Sequence, residues 1–405
     1  MISVDEARRR IIAAFDPLST EMVALTDAVG RVLSQDISAR RTQPPTAVSA
    51  MDGYAAKAED VNSVPVQLKV VGEAPAGGGF EGEVNSGQAV RIFTGGPMPK
   101  GADTVIIQED TDLGTATVTV NQNKDQRPGR HVREAGIDFT TGDVLLKAGR
   151  RLGPREIGLA AAMNHPWLPV SRKPRVAMLA TGDEVVRPGD PIGPNQIVSS
   201  NGASLGAFIE VHGGVAIDLG IARDDEASIR TMADGARGAD LLVTMGGVSV
   251  GDHDLVQKVL GEAGLEVNFW KIAMKPGKPL MFGLLDGTGV LGLPGNPVSS
   301  MVCAILFLGP VLDKMLGLPG DGVGLIRAKL GSKVGANNFR EDYMRASLAP
   351  GDDGSPIATP LPVQDSSMMA AFAGAGCLIV RPPDAPPANA GEWVDVIPLG
   401  PSGGG

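Results

Sequence analysis

The chain has 405 residues, 43% of them hydrophobic and 20% charged; at ~150 residues per domain this suggests about two to four domains, and so much apolar material excludes a disordered chain. Phe, Tyr and Trp make up only 4%, and the formal net charge is −10, which argues against nucleic acid, whose binders carry stacking aromatics and a basic footprint. Gly 55 and Pro 31 are well above ordinary usage and point to many tight turns.

The N-terminus predicts a helix, with a capping box of Ser3 and Glu6 and Val4, Ala7, Ile11 and Phe15 at helical spacing. From about residue 64 to 147, short β-type runs (Val66 to Val71, Ala89 to Thr94, Thr104 to Gln108, Ala116 to Val120) alternate with Gly/Pro turns and predict a small β domain inserted into a helical segment. Pro154 opens a second helix, Arg155 to Met163. The helical parts flanking the insert are expected to pack together. From about residue 174, strands at Arg175 to Ala180, Val215 to Ile221, Asp240 to Met245, Val267 to Ile272, Leu280 to Leu284 and Val290 to Leu293 mix with helices at Asn201 to Val211, Glu226 to Ala236, Leu255 to Glu262 and Val298 to Leu316. Such alternation predicts a parallel α/β sheet covered on both faces, with ligands at the carboxyl ends of its strands. The tail returns to short β runs and predicts a small barrel or sandwich.

Cys303 and Cys377 both lie in apolar runs and are expected to be buried free thiols in a reducing cytosol. Asp5, Glu6 and Arg8 to Arg10 leave no apolar stretch for a signal peptide. The expectation is a cytoplasmic protein with no membrane span.

Three motifs are decoys. Gly77, Gly79 and Gly82 match a dinucleotide fingerprint, but no helix pattern follows. Gly247 to Gly251 match a nucleophile elbow around Ser249, yet the only downstream histidine is His253, poorly placed as a base from a separate loop. His131, His165, His212 and His253 show no metal-ligand spacing and read as surface or loop residues.

Five strand ends carry the chemistry: Thr181 to Glu184, Arg223 to Asp225, Gly246 to Asp254, Lys271 to Pro279 and Pro294 to Pro297. Gly246, Gly247 and Gly251 free backbone N–H groups to converge on an anion. Asn296 as N-cap and Pro297 as first helical residue present a helix N-terminus to an anion. Lys271, Lys275 and Lys278 concentrate positive charge in an acidic chain. Glu184, Asp224 and Asp254 offer hard oxygen ligands suited to Mg²⁺ beside a phosphate.

The sequence resembles the molybdopterin molybdenumtransferases, the MoeA family that includes the gephyrin E domain. The resemblance rests on Ser49 to Ala55, Arg91 to Pro97, Pro99 to Asp103, Thr181 to Glu184, Gly246 to Gly251 with Asp254, Lys275 to Pro279 and Gly292 to Ser299, and covers essentially the whole chain. It implies a multidomain α/β plus β protein: a helical linker segment (1–45 and 146–173), an inserted β domain (46–145), a doubly wound α/β molybdopterin-binding domain (174–318) and a C-terminal β-barrel (319–400). It further implies a homodimer whose active site is shared between subunits, working with other molybdenum cofactor biosynthesis proteins. The implied reaction inserts molybdate into adenylylated molybdopterin with release of AMP and a requirement for Mg²⁺.

By this resemblance Asp52, Thr94, Glu184, Asp224, Asp254, Lys271 and Lys275 are catalytic. Gly246, Gly247, Ser249, Gly251, Pro294, Asn296 and Pro297 bind molybdopterin. Lys275, Lys278, Ser299, Arg345 and Ser366 form the molybdate pocket. Two other readings compete: a non-catalytic molybdopterin-binding carrier or scaffold, which would lack strand-end carboxylates or lysines, and a serine hydrolase at Ser249.

Overall fold

The computed structural model of the chain describes residues 1–122, 124–247, 255–320 and 322–400. Helix α1 (Val4–Ile12) starts at Ser3, whose extended backbone and hydroxyl cap the Glu6 N–H at 3.2 Å. Its buried stripe of Val4, Ala7 and Ile11 does not meet the second helix. Together with Phe15 it joins the core of the α/β sheet, beside Leu312 and Phe282. This corrects the expected packing. The flanks of the insert do meet, but as strands: Thr20–Ala24 pairs antiparallel with Trp167–Ser171, and Ile37–Ser38 with Val144–Leu146. Helix α2 (Pro154–Ala162) closes their small core over Ala28, Leu33 and Leu168.

The insert is a five-stranded sheet of β1 (Gly53–Ala56), β2 (Val66–Ala74), β3 (Gln88–Ile92), β4 (Thr104–Ile107) and β5 (Thr117–Val120), in the order β4-β1-β3-β2-β5. The sequence hides β1, because Gly-Tyr-Ala-Ala has no β-branched residue. Gly53 is there for space: a Cβ would lie 1.9 Å from the Ile106 carbonyl oxygen. Strand β3 stops at Ile92, two residues before the predicted run ends, which leaves Thr94 in a turn.

The α/β unit runs β6 (Arg175–Thr181), α3 (Asn201–Val211), β7 (Val215–Ala222), α4 (Glu226–Asp234), β8 (Leu241–Met245), α5 (Leu255–Glu262), β9 (Glu266–Trp270), β10 (Met281–Leu285), β11 (Thr288–Leu293), α6 (Pro297–Cys303) and α7 (Gly309–Leu316). The sheet order is β7-β6-β8-β11-β10-β9. It is not wholly parallel: β10 runs antiparallel to both β9 and β11. The cause is local. Asp286 and Gly287, at φ 49° and 80°, form a two-residue hairpin turn between β10 and β11. One face packs on α1, α3, α6 and α7, the other on α4 and α5. Residues Pro297–Leu316 are long and apolar enough to cross a membrane, yet most of that stretch is buried in the protein core. A π turn at Ala304–Leu308 links α6 to α7 just ahead of Pro310, which cannot donate an N–H.

In the tail, β12 (Ile326–Leu330), β13 (Glu341–Pro350), β14 (Pro356–Pro360), β15 (Cys377–Arg381) and β16 (Trp393–Pro398) pair in the circuit β13-β14-β12-β16-β15-β13, which closes a barrel and excludes the sandwich. Cys303 and Cys377 are buried free thiols. Burial pushes the Cys377 thiol up to about 11. His165 departs from the surface reading: it is buried, with Nε2 2.7 Å from the Ser38 carbonyl oxygen.

Candidate functional site

The chain leaves β6 toward β7 on one side and returns past it to β8 on the other. The crevice between β6 and β8 is therefore the topological switch point where an open α/β sheet binds ligands. Three loops touch there. Gly246 and Gly247 after β8 take φ 90° and 64°, the left-handed region that favours glycine. A Cβ on Gly246 would lie 3.1 Å from the Thr181 carbonyl oxygen, and one on Gly247 would lie 2.3 Å from Val256 Cγ2. Gly295, after β11, packs against Gly246; a Cβ on Gly295 would lie 3.7 Å from Gly246 Cα. Buried Asn201, at the start of α3, ties in from below by donating Nδ2–H to the Gly295 carbonyl at 2.8 Å, while its Oδ1 has no partner.

Two of the expected metal carboxylates flank this crevice. Glu184 folds back over Gly182, so a Cβ on Gly182 would meet Glu184 Oε2 at 2.5 Å. Asp224 is joined to Asp183 by a reciprocal pair: Asp183 N–H donates to Asp224 Oδ2 at 3.4 Å, and Asp224 N–H to Asp183 Oδ1 at 3.3 Å. These bonds hold the loops after β6 and β7 side by side. Glu184 and Asp224 are exposed and oxygen-bearing, which suits a hard cation. Among the described residues no three His, Cys, Asp or Glu side chains gather at metal-binding distance. Asp254, the third expected ligand, lies outside the described residues, as do Ser249, Gly251 and His253.

The lysine segment joins the same rim. Strand β9 runs parallel to β11, so its carboxyl end, where Lys271 to Pro279 begins, lies on the crevice side. Lys271 sits at φ 73°, and its ammonium rests 4.0 Å from the Trp270 ring centroid, a cation–π contact. Met274–Lys275 pairs with Glu341 and Asp342 as a sixth strand on the barrel. Lys275 Nζ donates to Asp342 Oδ2 at 3.0 Å. Lys278 is exposed, and its carbonyl accepts from the Ile272 and Leu280 N–H groups, each at 3.1 Å.

At α6 the expected presentation of a helix N-terminus needs correction. Asn296 holds the N-cap position, but its side chain makes no cap bond. Its Nδ2 donates to Ser366 Oγ at 2.9 Å, and the Ser366 carbonyl takes the Val298 N–H at 3.1 Å. A barrel loop thus occupies part of the helix end. Arg345, 2% exposed, holds that loop: Nε donates to Gln364 Oε1 at 3.2 Å and an Nη to the Asp365 carbonyl at 2.6 Å. Burial pulls the Arg345 pKa below its ordinary value. Ser299 is buried in the first turn, two residues after Pro297, and Pro294 precedes the turn.

Asp52 and Thr94 meet on the insert. Thr94 donates both its N–H and its hydroxyl to Asp52 Oδ1, each at 2.7 Å. These two bonds, backbone first, hold the Asp52 carboxyl below the usual carboxylate range. Behind them Arg91 lies 5.1 Å from the Tyr54 centroid and 4.9 Å from the Phe93 centroid, and donates to the Gly53 carbonyl and to Gln108 Oε1. Among the described residues, the ion pairs of residues 46–145 all stay within that span. Sequence reasoning gave no role to Asn201, Arg91, Gln364 or Asp342. Arg91 opens one of the segments that carry the family resemblance, and Asn201 follows Ser199-Ser200 at a helix start; Gln364 and Asp342 had no local signal.

Three family models match in succession: the MoeA N-terminal region over residues 2–164, the probable molybdopterin binding domain over 177–314, and the MoeA C-terminal region over 327–399. The molybdopterin molybdenumtransferase of Haemophilus influenzae is 35% identical across 98% of this chain and 99% of its own length. Molybdopterin molybdenumtransferase 2 of Mycobacterium tuberculosis is 37% identical across 84% of this chain and 87% of its own. The chain belongs to the molybdopterin molybdenumtransferase family. It is a transferase of molybdenum cofactor biosynthesis. Two solved structures of the molybdopterin biosynthesis MoeA protein from Pyrococcus horikoshii superimpose with TM-scores of 0.86 and 0.83, at 32% and 28% identity, over 99% and 98% of this chain and 100% and 99% of theirs. This family's multidomain α/β plus β fold is the one described above.

Proposed function

We propose that the protein inserts molybdate into adenylylated molybdopterin, releasing AMP, with Mg²⁺ as the required metal. The observation that carries this reading is the meeting of three strand-end loops at Thr181, Gly246 and Gly295, with the lysine segment starting at the carboxyl end of β9 on the same side of the sheet. The glycine backbone at Gly246 and Gly247 leaves room for a ligand to approach, and Pro294, Asn296 and Pro297 form the opposite wall against the pterin. Lys275 and Lys278, with Ser299, Arg345 and Ser366, attract and seat the tetrahedral oxyanion, for which ammonium and hydroxyl donors are suited.

In this reading Glu184, Asp224 and Asp254 hold the Mg²⁺, which when bound would neutralise charge on the pyrophosphate. Lys271 and Lys275 stabilise the charge that develops on the phosphate as the oxygen of a water molecule forms the new P–O bond, the phosphoanhydride bond breaks and AMP leaves, the water proton passing to solvent. Asp52, kept ionised by Thr94, orients the reacting groups. The dithiolene sulfurs then hold the molybdenum. Because Asp52 and Thr94 ride on the insert, which makes its ion pairs internally, a homodimer with a shared site brings them to the rim of the partner subunit. A cytoplasmic location, and association with other proteins of molybdenum cofactor biosynthesis, follow from this reaction.

The test is AMP release from adenylylated molybdopterin on addition of molybdate, with and without Mg²⁺. Absence of AMP while molybdopterin still binds would favour a carrier or scaffold. For the shared site, Asp52→Ala and Lys275→Ala chains are mixed and allowed to exchange subunits. Recovery of activity supports a composite site, and none refutes it.

A further inference from the structure

At the other end of the sheet lies a cleft of about 1020 Å³. Lys173 and Gly213, on its wall, stand just before the starts of β6 and β7. The cleft is therefore at the amino ends of these strands, roughly 20 Å from the carboxyl rim by the rise of a seven-residue strand. Its lining carries Arg31, Arg150, Arg151, Arg155 and Lys173 against Glu156 and Glu210, in a chain of net charge −10. The cations are only partly balanced. Arg31 pairs with Glu21, Arg150 with Glu156 and Arg151 with Asp313 at 3.4 Å; Glu156 also takes the Gly153 N–H, and Glu210 Oε1 faces the Ala216 N–H at 3.5 Å. Among the described residues Arg155 and partly buried Lys173 make no ion pair, and the buried Nε of Arg31 has no hydrogen-bond partner. Arg155 and Lys173 thus leave two positive charges without a carboxylate beside one concave space, which an anion would offset. The Arg155 guanidinium and the free Nε of Arg31 offer N–H donors of the kind that match phosphate oxygens.

We propose that this cleft binds a compact phosphate-bearing anion, at a site separate from the molybdate and molybdopterin rim and independent of the reaction assigned there. Its volume suits a small metabolite, and its walls come from the segment around α2, from the α/β unit and from the end of β16. An occupant would thus touch three parts of the chain at once.

The probe is inorganic pyrophosphate, titrated calorimetrically into the full chain, with hydrogen exchange of residues 149–156 as a local readout. The expected result is binding that weakens about tenfold in an Arg155→Ala/Lys173→Ala variant, as the loss of two solvent-screened charged contacts implies, with protection of 149–156 lost in parallel. An Asp52→Asn chain should keep both signals, since Asp52 belongs to the other site. An unchanged melting temperature in the double variant excludes unfolding as the cause. Equal binding by the double variant and the unmodified chain, or no protection of 149–156, overturns the proposal.

Discussion

Thr94 holds a single oxygen of Asp52 twice, through its N–H and its hydroxyl, both at 2.7 Å. The backbone bond survives any side-chain change, so the hydroxyl can be tested alone. Thr94→Val should lower kcat about ten- to a hundredfold, the cost of a loosened catalytic carboxylate, while Thr94→Ser should keep most of the activity. The sign for pH follows from the depressed Asp52 pKa. Removing one donor lets that pKa rise toward the ordinary ~3.9. The acidic limb of the rate profile should then shift to higher pH in Thr94→Val and stay in place in Thr94→Ser.

Lys275 shares its charge with Asp342, the second residue of barrel strand β13. The two residues should therefore respond in opposite directions. Lys275→Ala should raise KM for molybdate, because it removes a cation. Asp342→Asn should lower it, because it frees one. Steady-state kinetics over a range of molybdate concentrations distinguish them; a rise in KM for both variants would argue against an oyxanion role for Lys275.

Asp224 has both a structural and an ionic capacity. Its Oδ2 accepts from Asp183 N–H, and an asparagine oxygen can accept as well. Asp224→Asn should therefore keep the loop pair and lose only the charge. The expected result is about a tenfold or greater rise in the Mg²⁺ concentration needed for half-maximal rate, with no change in melting temperature. A normal metal requirement would remove Asp224 from the ligand set.

Gly277, at φ 107°, allows the lysine segment to pass over α6. A Cβ there would lie 2.6 Å from Cys303 Sγ and 2.9 Å from Met274 Cε. Gly277→Ala should destabilise the fold by about 1–3 kcal/mol through overpacking and left-handed backbone strain, read by denaturant unfolding.

Asp240 takes both Nη groups of Arg172, each at 2.8 Å, and the Arg175 N–H at 2.7 Å. Burial alone would raise its pKa; the Arg172 bonds and the backbone donor outweigh burial and lower it. A depressed carboxylate contributes stability that is present above its unfolded value of ~3.9 and lost as pH falls through the folded one. Asp240→Ala should cost about 1–2 kcal/mol at neutral pH, discounted for a partly exposed pair. The difference between the two proteins should shrink below about pH 4.

The strands, the helices and the strand-end loops were legible because they depend on local signals: apolar runs, glycines after strands, and a Pro at a helix start. The antiparallel β10 was not, since Asp286-Gly287 was a turn signal whose consequence for strand direction went unread. Closure of the barrel came only from the family resemblance; the residues alone left barrel and sandwich open, because β14 is bounded by prolines and its partners are remote in sequence. At the site, Thr181 and Gly246 could be brought together from strand ends alone, and their loops do touch; the pairing of Lys275 with the barrel strand could not be read from them. The diversion of Asn296 to Ser366 could not, for it depends on a loop seventy residues away. The place of α1 was misread because its apolar stripe specifies burial without specifying against what.

The circuit that ends at β16 is not a removable cassette. Tyr343, Leu378 and Ile397 belong to the same apolar cluster as Leu291 and Val302, and Ser366 completes the first turn of α6. Grafting this barrel onto a relative's α/β unit would exchange half of a shared interior along with half of the wall beside Lys275. Chimaeras of this family should therefore tolerate junctions chosen to keep the barrel with its own α6 and lysine strand, and fail where the crossover separates them.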